Sequence, residues 1–247
     1  MSIERRLSAT QVILLHLLPA VPFLVCYRIA QEFAPPWLPS FTVLVLAGGC
    51  VLVPLELALT VWLCRRAGRP VLSARFTEYH RWPGHGRTVM LVVALLAWAV
   101  FVFFVLESWL GLGAFLCETW LPGMDPRIDP GYIFRHSDRF VPGQVWLAAV
   151  LALVIGAVVA PAAEEIYFRG QPLPLMREWG AFAPLLHTTL FAVYHLWSPW
   201  LIPTRILAVF PFCWVAYRER SIYPSLFAHC LLNFLGDGLP LLALAVG

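Results

Sequence analysis

Lysine is absent: all 17 basic residues are arginine, a bias that reflects a GC-rich genome and points to a bacterial source. Charge of either sign is scarce. Charged residues are 13% of the 247, about half the share in soluble domains, so most of the surface must face something other than water. With 60% hydrophobic residues, a mean hydropathy of +0.77 and no low-complexity tracts, disorder is excluded. No Cys-x-x-Cys pair occurs among Cys26, Cys50, Cys64, Cys117, Cys213 and Cys230, which excludes a disulfide framework and a thiolate zinc site. A net charge of +3 without a continuous basic face excludes nucleic acid as a partner. No small-x-small cleavage site follows the first apolar run, so that run is expected to be a retained helix rather than a signal peptide.

What is abundant is long apolar sequence. A helix needs about 20 apolar residues to cross a hydrocarbon core roughly 30 Å thick. Seven candidates lie near residues 10–30, 41–63, 88–110, 145–168, 181–200, 204–217 and 221–245. The run at 204–217 is short and bracketed by Pro203 and Pro211, which makes it the weakest. None alternates with period two, so a barrel is excluded. The expected fold is all-α, a polytopic transmembrane bundle of about seven spans around a polar catalytic cavity. No repeat or composition break divides it, and residues 1–247 read as one membrane domain.

The connection 65–87 carries Arg65, Arg66, Arg69, Arg75, Arg81 and Arg87 against Glu78 and is expected in the cytosol. The connection 111–144 holds Glu118, Asp125, Asp129 and Asp138 against Arg127, Arg135 and Arg139 and is expected outside. Counting spans then places Arg5, Arg6, Arg177, Arg218 and Arg220 inside, with Arg205 the exception. The chain reads as an integral protein of a bacterial inner membrane, with a cytosolic N-terminus and membrane lipids around it.

Ionisable residues within spans are costly and usually face a cavity or a partner. Here they concentrate in three segments: 162–170 with Glu164, Glu165 and Arg169; 191–195 with Phe191 and His195; 229–233 with His229 and Asn233. On a helix Glu165 and Arg169 share a face in the favourable order for an ion pair. Glu164 is turned about 100° away from Glu165 and has no adjacent cation. Desolvation favours the neutral form of such a carboxylate, the condition for a general base or acid near neutral pH. The bland alternative is that all three cap an interfacial helix end. His229 and Asn233 form one polar stripe suited to hydrogen-bonding a developing oxyanion. His16 and His187 read as packing residues, Glu56 has no partner in sequence, and Glu107 and Asp237 read as solvated span ends.

Glu-Glu-x-x-x-Arg, Phe-x-x-x-His and His-x-x-x-Asn, in this order on three apolar segments, resemble the CPBP family of membrane proteases, which includes CAAX prenyl endopeptidases and bacteriocin-processing or immunity proteins. The resemblance covers roughly residues 145–240 as a catalytic core. Residues 1–144, N-terminal spans of unknown specific role, match nothing recognisable. It implies an intramembrane endopeptidase acting on a membrane-associated or C-terminal-tail protein or peptide. In that reading Glu164 is the base, His195 holds the water, His229 and Asn233 stabilise the oxyanion, and Glu165, Arg169 and Phe191 support the site. No cofactor is expected; the alternative is a zinc protease with Glu164, His195 and His229 as ligands, although the His-Glu-x-x-His helix is absent. A non-catalytic binding or immunity protein of the same fold is the other alternative.

Overall fold

Continuous apolar runs leave every backbone polar group to be satisfied within its own segment, and only helices do that without a partner strand. The computed structural model describes residues 8–35, 37–71, 73, 76–120, 133–134 and 136–247, and among these every regular element is helical. Arg5, Arg6, Arg75, Asp125, Arg127, Asp129 and Arg135, used above to orient the chain, lie outside the described residues.

The helices are α1 (Ala9–Phe33), α2 (Ser40–Arg66), α3 (His85–Trp109), α4 (Leu112–Trp120), α5 (Pro142–Leu175), α6 (Phe182–Tyr194), α7 (Pro199–Glu219) and α8 (Tyr223–Val246). Six of them, all but α4 and α6, are long and apolar enough to cross a membrane, so this is an integral membrane protein. Ser8 opens α1 with a reciprocal cap: its hydroxyl accepts from the Gln11 N–H while the Gln11 side chain accepts from the Ser8 N–H.

The weakest span is not the one the sequence points to. The run at 204–217 belongs to α7, 21 residues long, because Pro203 falls in the first turn, where a missing N–H costs nothing. The run at 181–200 breaks instead. Its helix α6 stops at Tyr194 after 13 residues, about 20 Å at 1.5 Å per residue, and residues 195–198 turn back before Pro199.

One apolar core joins the two halves of the chain, with Phe23 of α1, Leu95 of α3, Phe168 of α5, Phe191 of α6 and Phe212 of α7 in contact. The outward faces stay apolar, including Val89, Val93 and Phe101 of α3 and Val150, Val154 and Val158 of α5. Lipid is the solvent such faces fit.

The arginine-rich α2–α3 connection folds over one end of the bundle. Arg69 donates to the Gln171 side-chain oxygen at 2.5 Å, and the Gln171 amide donates to the Phe76 carbonyl at 3.0 Å. The Ile222 N–H donates to the Tyr79 carbonyl, and burial holds the Tyr79 phenol above its usual range. Gly170 lies beneath this strap, where an added Cβ would run into the Ile166 carbonyl oxygen and meet Thr77 at 2.7 Å. The Arg81 N–H donates to the Arg220 carbonyl, so the strap gathers Arg69, Arg81 and Arg220 at the same end.

Candidate active site

Two stretches of α5 are wound with i→i+5 bonding, Ala152–Val159 and Glu165–Arg169, and they bracket Ala160–Glu164. Such turns occur often at functional sites. Despite the wider turn, Arg169 Nη1 lies 3.3 Å from Glu165 Oε1, and both side chains are fully buried. The Arg169 guanidinium also stacks over the Phe191 ring, 3.9 Å from its centroid, a cation–π contact that strengthens when desolvated.

Glu165 carries more than the arginine. The Ser225 hydroxyl donates to Oε2 at 2.7 Å and His229 Nδ1 donates to Oε1 at 3.0 Å. Ser225, His229 and Asn233 stand four residues apart on one face of α8, so the same spacing that marks His229 and Asn233 could have identified Ser225.

Glu164 points elsewhere. Its Oε1 is 4.0 Å from His195 Nε2 and its Oε2 is 3.8 Å from His229 Nε2. His195 Nδ1 donates to the Phe191 carbonyl at 2.9 Å, as His229 Nδ1 does to Glu165. With both Nδ1 atoms committed as donors, both Nε2 atoms face Glu164. The Phe191 ring lies edge-on to His195, with centroids 4.8 Å apart, and to His229 at 6.3 Å.

Six of the seven motif residues thus converge: Glu164, Glu165, Arg169, Phe191, His195 and His229. Asn233 lies one turn beyond His229, half-buried, with its amide donating to the Gly156 carbonyl at 3.0 Å. Among the described residues no three His, Cys, Asp or Glu side chains form a group placed to hold a metal ion, the trio Glu164, His195 and His229 included.

Three features escape sequence reading. Glu56 of α2 is fully buried and accepts from the Tyr194 hydroxyl at 2.6 Å. Glu107 is not a solvated span end: it is half-buried and accepts from the Thr204 hydroxyl and from the Gly113 N–H. Arg205 points inward, donating to the Ser198 hydroxyl at 3.0 Å on the turn that follows His195. These four pairings either join α2 or α3 to residues 138 or 97 positions away or cross a turn, so no helical spacing announces them; the signal in the sequence was an ionisable side chain alone in an apolar run.

No curated protein and no solved structure matches the chain. A family model does. Residues 145–235, which contain all seven motif residues, match the family described as type II CAAX prenyl endopeptidase Rce1-like.

Proposed function

We propose that the protein is an intramembrane endopeptidase that hydrolyses a peptide bond of a membrane-associated or C-terminal-tail protein or peptide. The observation that carries this reading is the Glu164 carboxylate facing two Nε2 atoms at 4.0 and 3.8 Å. Those separations are too long for direct hydrogen bonds and suit groups that share one water oxygen.

In this mechanism Glu164 takes a proton from water held with His195 while the water oxygen attacks the scissile carbonyl carbon. The carbonyl π pair moves to oxygen. His229 and Asn233 stabilise that oxyanion: the Glu165 carboxylate orients His229 by accepting from Nδ1, and Asn233, which gives one amide hydrogen to Gly156, has a second to give. When the C–N bond breaks, the proton held by Glu164 passes to the departing amine. Arg169 fixes Glu165, and Phe191 packs the two imidazoles.

The chemistry proposed is free of metal. Two ligands on one tetrahedral zinc stand about 3.4 Å apart at bond lengths of 2.0–2.1 Å, closer than the pairs here. The zinc reading keeps one supporting observation, since both histidines have Nδ1 held by an acceptor as metal-bound histidines do.

The proposed location is a bacterial inner membrane with the strapped, arginine-rich end in the cytosol. In a cysteine-free background, Ala67→Cys on the strap side should resist an impermeant thiol reagent in intact cells while Val141→Cys reacts, both positions being exposed. The reverse pattern would invert the orientation. For function, membrane proteomes of strains with and without this gene should differ by a shortened protein, and Glu164→Gln should behave as the deletion. A deletion strain with an unaltered membrane proteome counts against proteolysis and for a binding or immunity role.

A further inference from the structure

Glu56 lies in the middle of α2, outside residues 145–235, with its side chain fully enclosed. One of its oxygens accepts from the Tyr194 hydroxyl at 2.6 Å, and the other has no hydrogen-bonding partner among the described residues. Tyr194 is the last residue of α6. At the next residue, His195, the backbone leaves helical geometry with φ −77° and ψ 52°. A helix end is where the chain is least constrained by its own hydrogen bonds, and the hydrogen bond of the His195 ring to the Phe191 carbonyl stays within this segment. Trp197, packed on His195 and on Phe23 at 4.8 Å each, and Ser198, bonded to Arg205, tie the turn that follows, and Tyr194 ties the helix end itself. Its ring stands edge-on to His195, centroids 5.0 Å apart at 89°, and packs on Phe168 at 4.8 Å.

We infer that Glu56 is a positioning residue for His195: by holding the Tyr194 hydroxyl it fixes the Tyr194 ring, and that ring fixes the orientation of the His195 imidazole. The N-terminal half then contributes to the site. The Glu56 carboxyl offers the Tyr194 hydroxyl an acceptor that an apolar residue in α2 lacks. The kinetic part of this inference rests on the proteolytic reading; the geometric part does not.

The test uses the full chain in detergent micelles, labelled with 15N-histidine, with the His195 resonance assigned through His195→Gln. Tyr194→Phe and Glu56→Ala should both shift or split the His195 ring signals as the imidazole gains orientations. Glu56→Gln, which keeps a carbonyl acceptor for the Tyr194 hydroxyl, should restore the parent signals. In peptide cleavage, Tyr194→Phe and Glu56→Ala should lower kcat about 10-fold to 100-fold, the scale of an ångström-sized misplacement, with KM unchanged and Glu56→Gln near the parent. Unchanged His195 signals in Tyr194→Phe, or Glu56→Gln as impaired as Glu56→Ala, would overturn the inference; should Glu56→Ala fail to fold, Tyr194→Phe carries the test alone. A parent protein that cleaves nothing would refute the proteolytic reading while the resonance still decides the role of Glu56.

Discussion

His16 and His187 meet between α1 and α6, as His195 and His229 meet at Glu164 between α6 and α8. Both pairs lie inside one bundle, His16 and His187 fully enclosed and His229 only partly, and they spend their ring nitrogens differently. His16 Nδ1 donates to the Val12 carbonyl at 2.7 Å, and its Nε2 accepts from His187 Nδ1 at 2.8 Å. Phe168 packs against both rings. That pair is closed except at His187 Nε2, which is buried with no hydrogen-bonding partner among the described residues. His195 and His229 do not bond each other; each gives its Nδ1 to a fixed acceptor and presents Nε2 to a carboxylate beyond direct bonding distance. What separates structural from reactive histidines here is what the remaining Nε2 faces: a carboxylate for His195 and His229, and no hydrogen-bonding partner among the described residues for His187.

The comparison breaks first at its acid. Glu164→Gln keeps size and shape but removes the base, so cleavage should fall about 100-fold to 10,000-fold with the thermal unfolding curve unchanged. Near-parental turnover would place the base elsewhere. Arg169→Ala strikes the support instead. Leaving Glu165 as an unpaired buried charge should cost about 3–5 kcal/mol of stability, read as lost yield and a lower unfolding midpoint. If Arg169→Ala is fully stable and yet inactive, the division between support and chemistry has to be redrawn. His187→Leu tests the closed pair directly: it strands His16 Nε2 and should cost about 1–3 kcal/mol, while the surviving folded protein cleaves at the parent rate. A large loss of rate with full stability would erase the distinction between the two pairs. The smallest effect expected is that of strong chelators, which should leave turnover where it was. Activity lost on chelation and regained with zinc would make the open pair a metal site.

How legible each pair was in the sequence follows from the same geometry. Where partners lie one helical turn apart, as Glu165 with Arg169, His229 with Asn233 or His195 with Phe191, spacing reports a shared face even through the i→i+5 turns of α5. Partners brought together by packing carry no such mark: Tyr194 finds Glu56 138 positions away and His187 finds His16 171 away. The all-helical class and the polar cluster of the last hundred residues were legible because apolar run length and rare intramembrane charges are local properties. The early stop of α6 was not. It depends on a turn at residues 195–198 that no apolar count detects, and it reverses which span is short. Asn233, readable as an oxyanion donor, has its amide on Gly156, a contact set by how α8 lies along the widened turns of α5.

The shortness of α6 has a consequence for the bilayer. A helix of about 20 Å cannot match a hydrocarbon layer of about 30 Å, and such mismatch is relieved by thinning the lipid beside it or by polar groups at its end. Ser198, which is buried, and Arg205, which is half-buried, place polar groups where α6 gives out. Hydrolysis consumes water as surely as it consumes peptide. For the proposed reaction the truncated helix would be the supply route, bringing the second reactant to His195 from beyond its own end while the apolar walls of the longer helices keep lipid tails away.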